Sequence, residues 1–184
     1  IQKNPSKANA GNSDHTINRV LNYIHKNQDR YPVLSQVGKV VFLNLIPWYE
    51  TYSNQLIHKG KTLIDPQNIR TIGKYLSGQN PCIIAWGNPA AGLTQIHESL
   101  SREAWERMRQ NENPVYHVGS LTRLKFPRHG QIWGYSDPLI SIIPSFIPMH
   151  SSLPNIILTP YILYISLFNI HIFSISKISF SIIN

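Results

Sequence analysis

Apolar side chains recur at helical and strand periods through the first three quarters of the chain. In residues 14–27, Ile17, Val20, Leu21 and Ile24 fall on one face of a helix. Ser13 or Asp14 stands where its N-cap belongs. Residues 39–46 form an apolar run, Val40-Val41-Phe42-Leu43, broken only by Asn44, which suits a strand covered on both faces. Asp65-Pro66 reads as the N-cap and first residue of a helix that turns Ile69, Ile72 and Leu76 inward. Residues 81–87 make a second buried strand. Residues 94–110 give the clearest helix, with Ile96, Leu100, Ala104 and Met108 as its core stripe. On its wet side Glu98 and Glu103 each precede an arginine, Arg102 and Arg107, by four positions. Asn113-Pro114 ends it, and residues 115–119 form another short strand.

This alternation of strand and helix defines the expected fold class as α/β: a mostly parallel sheet flanked by helices in three layers. Ile1-Gln2-Lys3 read as the end of a truncated first strand, followed at once by a polar loop containing Pro5. Residues 1–137 are expected to form a single domain. After Asp137 the only formally charged side chain is Lys177, and Ile and Ser dominate. Residues 138–184 therefore read as a low-complexity tail, non-native or disordered. Two other readings stand beside that one. Residues 156–175 carry no charge and are long enough to span a bilayer, although Pro160, Asn169 and His171 weaken such a helix. Alternatively, Ile178, Phe180 and Ile182 alternate with serines in the manner of a strand.

Composition narrows the function classes. The single cysteine, Cys82, excludes an internal disulfide framework and sits in an apolar run as a small buried hydrophobe. A formal charge of +8 and a pI near 9.7 suit a polyanionic partner, nucleic acid or nucleotide. No secretory pattern opens the chain, so a cytoplasmic location is expected, with membrane attachment only if the tail is genuine. There is no phosphate-binding Gly-rich loop, no G-x-G-x-x-G, no zinc-spaced Cys/His set and no nucleophile elbow. No cofactor and no metal are expected.

In open α/β sheets, ligands bind beyond the carboxyl ends of the strands. The strand exits here carry Asn4-Pro5-Ser6, then Asn44 and Pro47-Trp48-Tyr49, then Trp86-Gly87-Asn88, then Gly119-Ser120. Asn44 is either a structural amide or a ligand group, because a polar residue within an apolar strand needs a partner. Asp14 either caps the first helix or joins the site. Trp48, Tyr49 and Trp86 are candidates to stack on a planar ligand. Residues 121–130 interleave Arg123, Lys125 and Arg128 with Phe126 and close on His129, a set able to neutralise phosphate, stack on a base and donate a hydrogen bond. The candidate site is thus Asn4 and His129 for chemistry, Ser6, Asp14, Asn44, Trp86, Gly87 and Asn88 for ligand binding, and Arg123, Lys125 and Arg128 for nucleic acid.

Five motifs occur in order: Asn4-Pro5-Ser6-Lys7-Ala8, residues 13–19, Val41-Phe42-Leu43-Asn44-Leu45, Ala85-Trp86-Gly87, and Pro127-Arg128-His129. Together they resemble domain of unknown function 1643, a bacterial and phage family, over residues 4–135. The resemblance departs at His129-Gly130, where many members place Pro-Leu-Tyr. A weaker analogy is to uracil-DNA glycosylase-like enzymes, whose first strand ends in a G-x-N-P or G-x-D-P loop and whose late loop bears a His. That analogy implies that Asn4 orients water and His129 hydrogen-bonds the departing base. The glycine before the motif is not matched.

Overall fold

The computed structural model describes residues 1–3, 5, 15–48, 56–58, 62–142 and 179–182, the last four by main chain alone. In chain order the elements are α1 (His15–Lys26), α2 (Pro32–Ser35), β1 (Lys39–Phe42), α3 (Pro66–Leu76), β2 (Cys82–Ile83), α4 (Thr94–Gln110), β3 (Val115–Val118), a 3-10 turn (Gly130–Ile132), β4 (Leu139–Ile142) and β5 (Ser179–Ile182). The fold is α/β. The Asp65 carboxylate accepts from the Gln67 N–H at 2.8 Å, and Pro66 opens α3 where its missing N–H costs nothing.

The sheet pairing is mixed. β1 runs parallel to β5, and β2 parallel to β3, whereas β3 and β4 are antiparallel. Residues 1–3 hydrogen-bond on both sides. The Gln2 N–H donates to the Leu43 carbonyl at 2.7 Å, and the Leu45 N–H donates to the Gln2 carbonyl at 2.9 Å. On the other side the Ala85 N–H donates to the Ile1 carbonyl at 2.7 Å. The main chain is therefore bonded continuously from 43–45 through residues 1–3 to residue 85.

Alternation along these strands feeds two cores. Leu43, Leu45, Cys82, Ile84 and Trp86 pack with Ile72, Leu76, Leu100, Ala104 and Met108 of α3 and α4. The intervening positions Phe42 and Ala85 join Ile17, Val20, Tyr23 and Ile24 of α1, with Trp133. Tyr23 meets Trp133 edge to face, ring centroids 5.3 Å apart. A side-chain period of two is what sends neighbours to opposite faces.

Past Asp137 the structure describes residues 138–142 and 179–182. β4 lies beyond Asp137, so the folded chain continues past the boundary drawn from composition. Its pairing with β3 buries Leu139. Among the described residues no helix is long and apolar enough to cross a membrane, and the charge-free stretch 156–175 lies outside them.

Candidate functional site

The carboxyl ends of the strands converge on two buried amides. Gln2 and Asn44 face each other across a parallel bridge, and paired positions project their side chains to the same face. That face is the α1 face, because Phe42, two residues before Asn44, packs with α1. Gln2 is 6% exposed and Asn44 4%. Neither the Gln2 Nε2 nor the Asn44 Oδ1 has a hydrogen-bond partner among the described residues. Each unmet buried polar group costs about 1–3 kcal/mol. The Asn44 main chain is satisfied separately: the buried Asn68 side chain of α3 donates to the Asn44 and Leu45 carbonyls at 2.9 and 3.1 Å. Thus the structural role open to Asn44 falls to Asn68, and the Asn44 side-chain oxygen is left over.

The segment that carries His129 packs close by, its next residue Gly130 standing against Gln2. Gly87, at the exit from β2, has φ +66°, and a Cβ there would lie 3.1 Å from the His129 Cβ. Only glycine takes this left-handed conformation cheaply and admits the loop so near. A Cβ on Gly130 would lie 2.7 Å from the Val20 Cγ2 and 3.6 Å from the Gln2 Nε2. Both glycines let the 127–130 segment pack against the strand ends and α1. The Gln131 N–H donates to the His129 Nδ1 at 3.3 Å. An accepting Nδ1 places the proton of the neutral ring on Nε2, making that nitrogen a donor.

Asn88 is exposed but tied in place. Its Oδ1 accepts from the Thr122 hydroxyl at 2.6 Å, and its carbonyl accepts from the Lys3 Nζ at 3.3 Å. Burial lowers the Lys3 pKa. Lys3 thereby connects the end of the first segment to the loop after β2.

The structure pairs Asn44 with Gln2, which the sequence pattern does not single out, and sets Gly87 against His129, the two pairs being linked where Gly130 meets Gln2. Asn4, Ser6 and Asp14 lie outside the described residues. Trp86 is not available for stacking: it shares a face with Cys82 and Ile84 and is 3% exposed within the α3–α4 core. Trp48 is exposed, and its indole N–H donates to the Thr62 carbonyl at 2.9 Å; Tyr49 lies outside the described residues. Arg123 and Lys125 are exposed on the 121–127 turn. Arg128 is instead committed internally, with Nη1 2.8 Å from the Asp137 carboxylate and Nη2 donating to the Ile132 carbonyl at 2.7 Å.

A second buried group also escapes the sequence pattern. His97, in the first turn of α4, is fully buried, and neither ring nitrogen has a hydrogen-bond partner among the described residues. Its ring meets Phe126 edge to face at 5.2 Å. Burial, reinforced by the Lys3 ammonium and weakly opposed by the Trp86 main chain, lowers its pKa to about 4. Burial also lowers the pKa of His117 on β3. Among the described residues no three His, Cys, Asp or Glu side chains are grouped to hold a metal. A mostly aliphatic cleft of about 700 Å³ runs along β1 and β2, lined by Ile24, Leu34, Val40, Phe42 and Ile83 among others, and Gln2 also borders it.

The architecture is that of an α/β protein with buried polar groups at the carboxyl edge of its sheet. The chain belongs to the family described as protein of unknown function (DUF1643), whose model matches residues 1–130. That span includes Gln2, Asn44, Gly87 and His129. No curated protein and no solved structure matches the chain.

Proposed function

We propose that the carboxyl edge binds a nucleobase or nucleotide and that its sharpest activity is cleavage of an N-glycosidic bond. The observation that supports this reading is the buried pair of amides beside His129. Gln2 offers an N–H donor and Asn44 a carbonyl acceptor, side by side and without partners among the described residues. An adjacent donor and acceptor complement the acceptor–donor edge of a lactam-type base, and such an edge would satisfy both at once.

In this reading Asn4 holds a water molecule and His129 donates from Nε2 to the base. The bond between sugar carbon and base nitrogen breaks, the electron pair leaves with the base, the water oxygen joins the sugar carbon, and one proton of that water ends on the departing base, giving a sugar hydroxyl and the free neutral base. Water attacking an oxocarbenium-like centre requires orientation more than a strong base, which an uncharged Asn can supply. A hydrogen bond from His129 offsets charge on the departing base. The reading goes with one mostly parallel sheet, covered on both faces in three layers, and with a cytoplasmic location where nucleic acid is met. The two cores on opposite strand faces support the layering.

Base release is assayed on oligonucleotides carrying damaged or deaminated bases. Asn4→Ala and His129→Ala are each expected to lower turnover about 100-fold or more with melting temperature unchanged. Wild-type turnover in both variants contradicts the assignment. A second reading, a nucleic-acid-binding module without chemistry, is favoured by the exposed Arg123 and Lys125. It expects salt-sensitive binding and no released base from any substrate.

A further inference from the structure

The outer face of α1 carries cations and neutral polar groups only. The helix contains no acidic residue. Arg19 and Lys26 stand two turns apart, about 10 Å along the axis. Both reach one ring: the Arg19 guanidinium carbon is 4.8 Å and the Lys26 ammonium nitrogen 4.2 Å from the centroid of Tyr135. Arg30, in the turn after α1, lies 5.1 Å over Tyr31 and donates to the Ser136 carbonyl at 3.2 Å. Arg19 and Lys26 form no ion pair among the described residues. Among the described residues the acids nearby are Asp29, exposed between Lys26 and Arg30, and Asp137, whose carboxylate is occupied by Arg128 and the Gly134 N–H.

We propose that this face binds the phosphate backbone of a nucleic acid through Arg19, Lys26 and Arg30, with the Tyr135 ring holding the first two in register. Contact with a ring face leaves the cation its N–H donors, and a side chain already held loses less freedom on binding. Although their backbones are two turns apart, the two charged groups both lie within about 5 Å of one ring centroid and so less than about 10 Å from each other, a span of at most two or three phosphates on one duplex strand, which carries one every ~3.4 Å of axis. An anionic membrane fits less well. The apolar side of α1, with Ile17, Val20 and Ile24, is buried in the core, leaving nothing to insert between lipids. The helix also leads to the site, since Thr16 and Val20 in its first two turns stand against Gly130 beside Gln2. The inference rests on the nucleic-acid part of the reading above, not on its chemistry, and it moves the main contact away from Arg128.

The test is fluorescence anisotropy of the full chain with labelled duplex and single-stranded DNA across a range of salt concentrations. Wild type is expected to bind with salt-dependent affinity. Arg19→Gln with Lys26→Gln is expected to weaken duplex binding at least about tenfold at low salt. It is also expected to flatten the slope of log K against log salt by about 1.8, the release of two phosphate counterions. Arg19→Lys, which keeps the charge, is expected to keep the wild-type slope. Unchanged affinity and slope in the double variant overturn the proposal and leave the ring contact as a clasp within the fold. No DNA binding by wild type at low salt overturns it too. So does binding to phosphatidylserine vesicles without binding to DNA. DNA binding retained by Asn4→Ala and His129→Ala while base release is never seen sinks the chemistry and spares this surface.

Discussion

Replacing His97 with leucine isolates one cause of acid sensitivity in the fold. Burial, with Lys3 facing the ring, holds the native pKa of His97 at about 4, whereas the unfolded chain releases it to the ordinary value near 6.5. Below pH 6.5 the unfolded ring takes a proton that the native ring refuses. Stability is therefore full above pH 6.5 and falls as pH drops toward 4, by about 1.4 kcal/mol per unit and about 3 kcal/mol in all. Lowered His117 acts in the same direction but is common to both proteins, as are the carboxylates. The comparison is urea unfolding of wild type and His97→Leu at pH 7, 5.5 and 4.5. The variant is expected to lose about 2–3 kcal/mol less than wild type between the first and last of these. At pH 7 it is expected to be no less stable by more than about 1.5 kcal/mol, because leucine needs no hydrogen-bond partner. Parallel losses in the two proteins refute the reasoning. If the variant does not fold, the wild-type ring ¹⁵N signals decide, since a His97 ring protonated at pH 5.5 refutes it equally.

Two further substitutions probe how the site is held. Asn68→Leu removes the two donations that tether residues 44 and 45 to α3 and leaves buried carbonyls unpaired, so unfolding free energy is expected to fall by about 1–3 kcal/mol in chemical denaturation. Gly87→Ala meets both a left-handed backbone and the His129 Cβ; a loss of about 1–3 kcal/mol is expected, and a crystal structure of the variant is expected to show the 127–130 segment displaced.

Much of the fold is legible in the sequence where periodicity is strong. The Asp65-Pro66 start of α3 and the extent of α4 follow from local chemistry that tertiary contacts do not override. The core stripe of α4 is rotated from the one its aliphatic residues suggest. Its buried positions are His97, Leu100, Ser101, Ala104, Trp105 and Met108, with Ile96 at the margin, and Trp105 is the bulky residue that turns the face. Counting back from Trp105 at helical spacing places His97 inside, so the sequence does hold the signal of a buried polar group there. Trp86 is likewise placed in the core by its alternation with Cys82 and Ile84. Gln2 is harder, because three residues of strand carry too little pattern to show which face they present. Its pairing with Asn44 spans most of the first 44 residues and is set by the sheet alone. The ion pair of Arg128 with Asp137 is also tertiary, since a basic residue between Pro127 and His129 looks the same in sequence whether it meets phosphate or carboxylate.

The central claim is that the amides of Gln2 and Asn44 read the edge of a base. The most direct measurement is the side-chain amide region of the ¹H–¹⁵N spectrum during titration with uracil, cytosine, hypoxanthine and their nucleosides. The account expects the Gln2 and Asn44 NH₂ signals to move saturably with at least one of these. Asn44→Ala is expected to weaken that binding about tenfold or more, the loss of one buried hydrogen bond. Signals that stay still with every base and nucleoside, in a chain whose fold is intact, would contradict it.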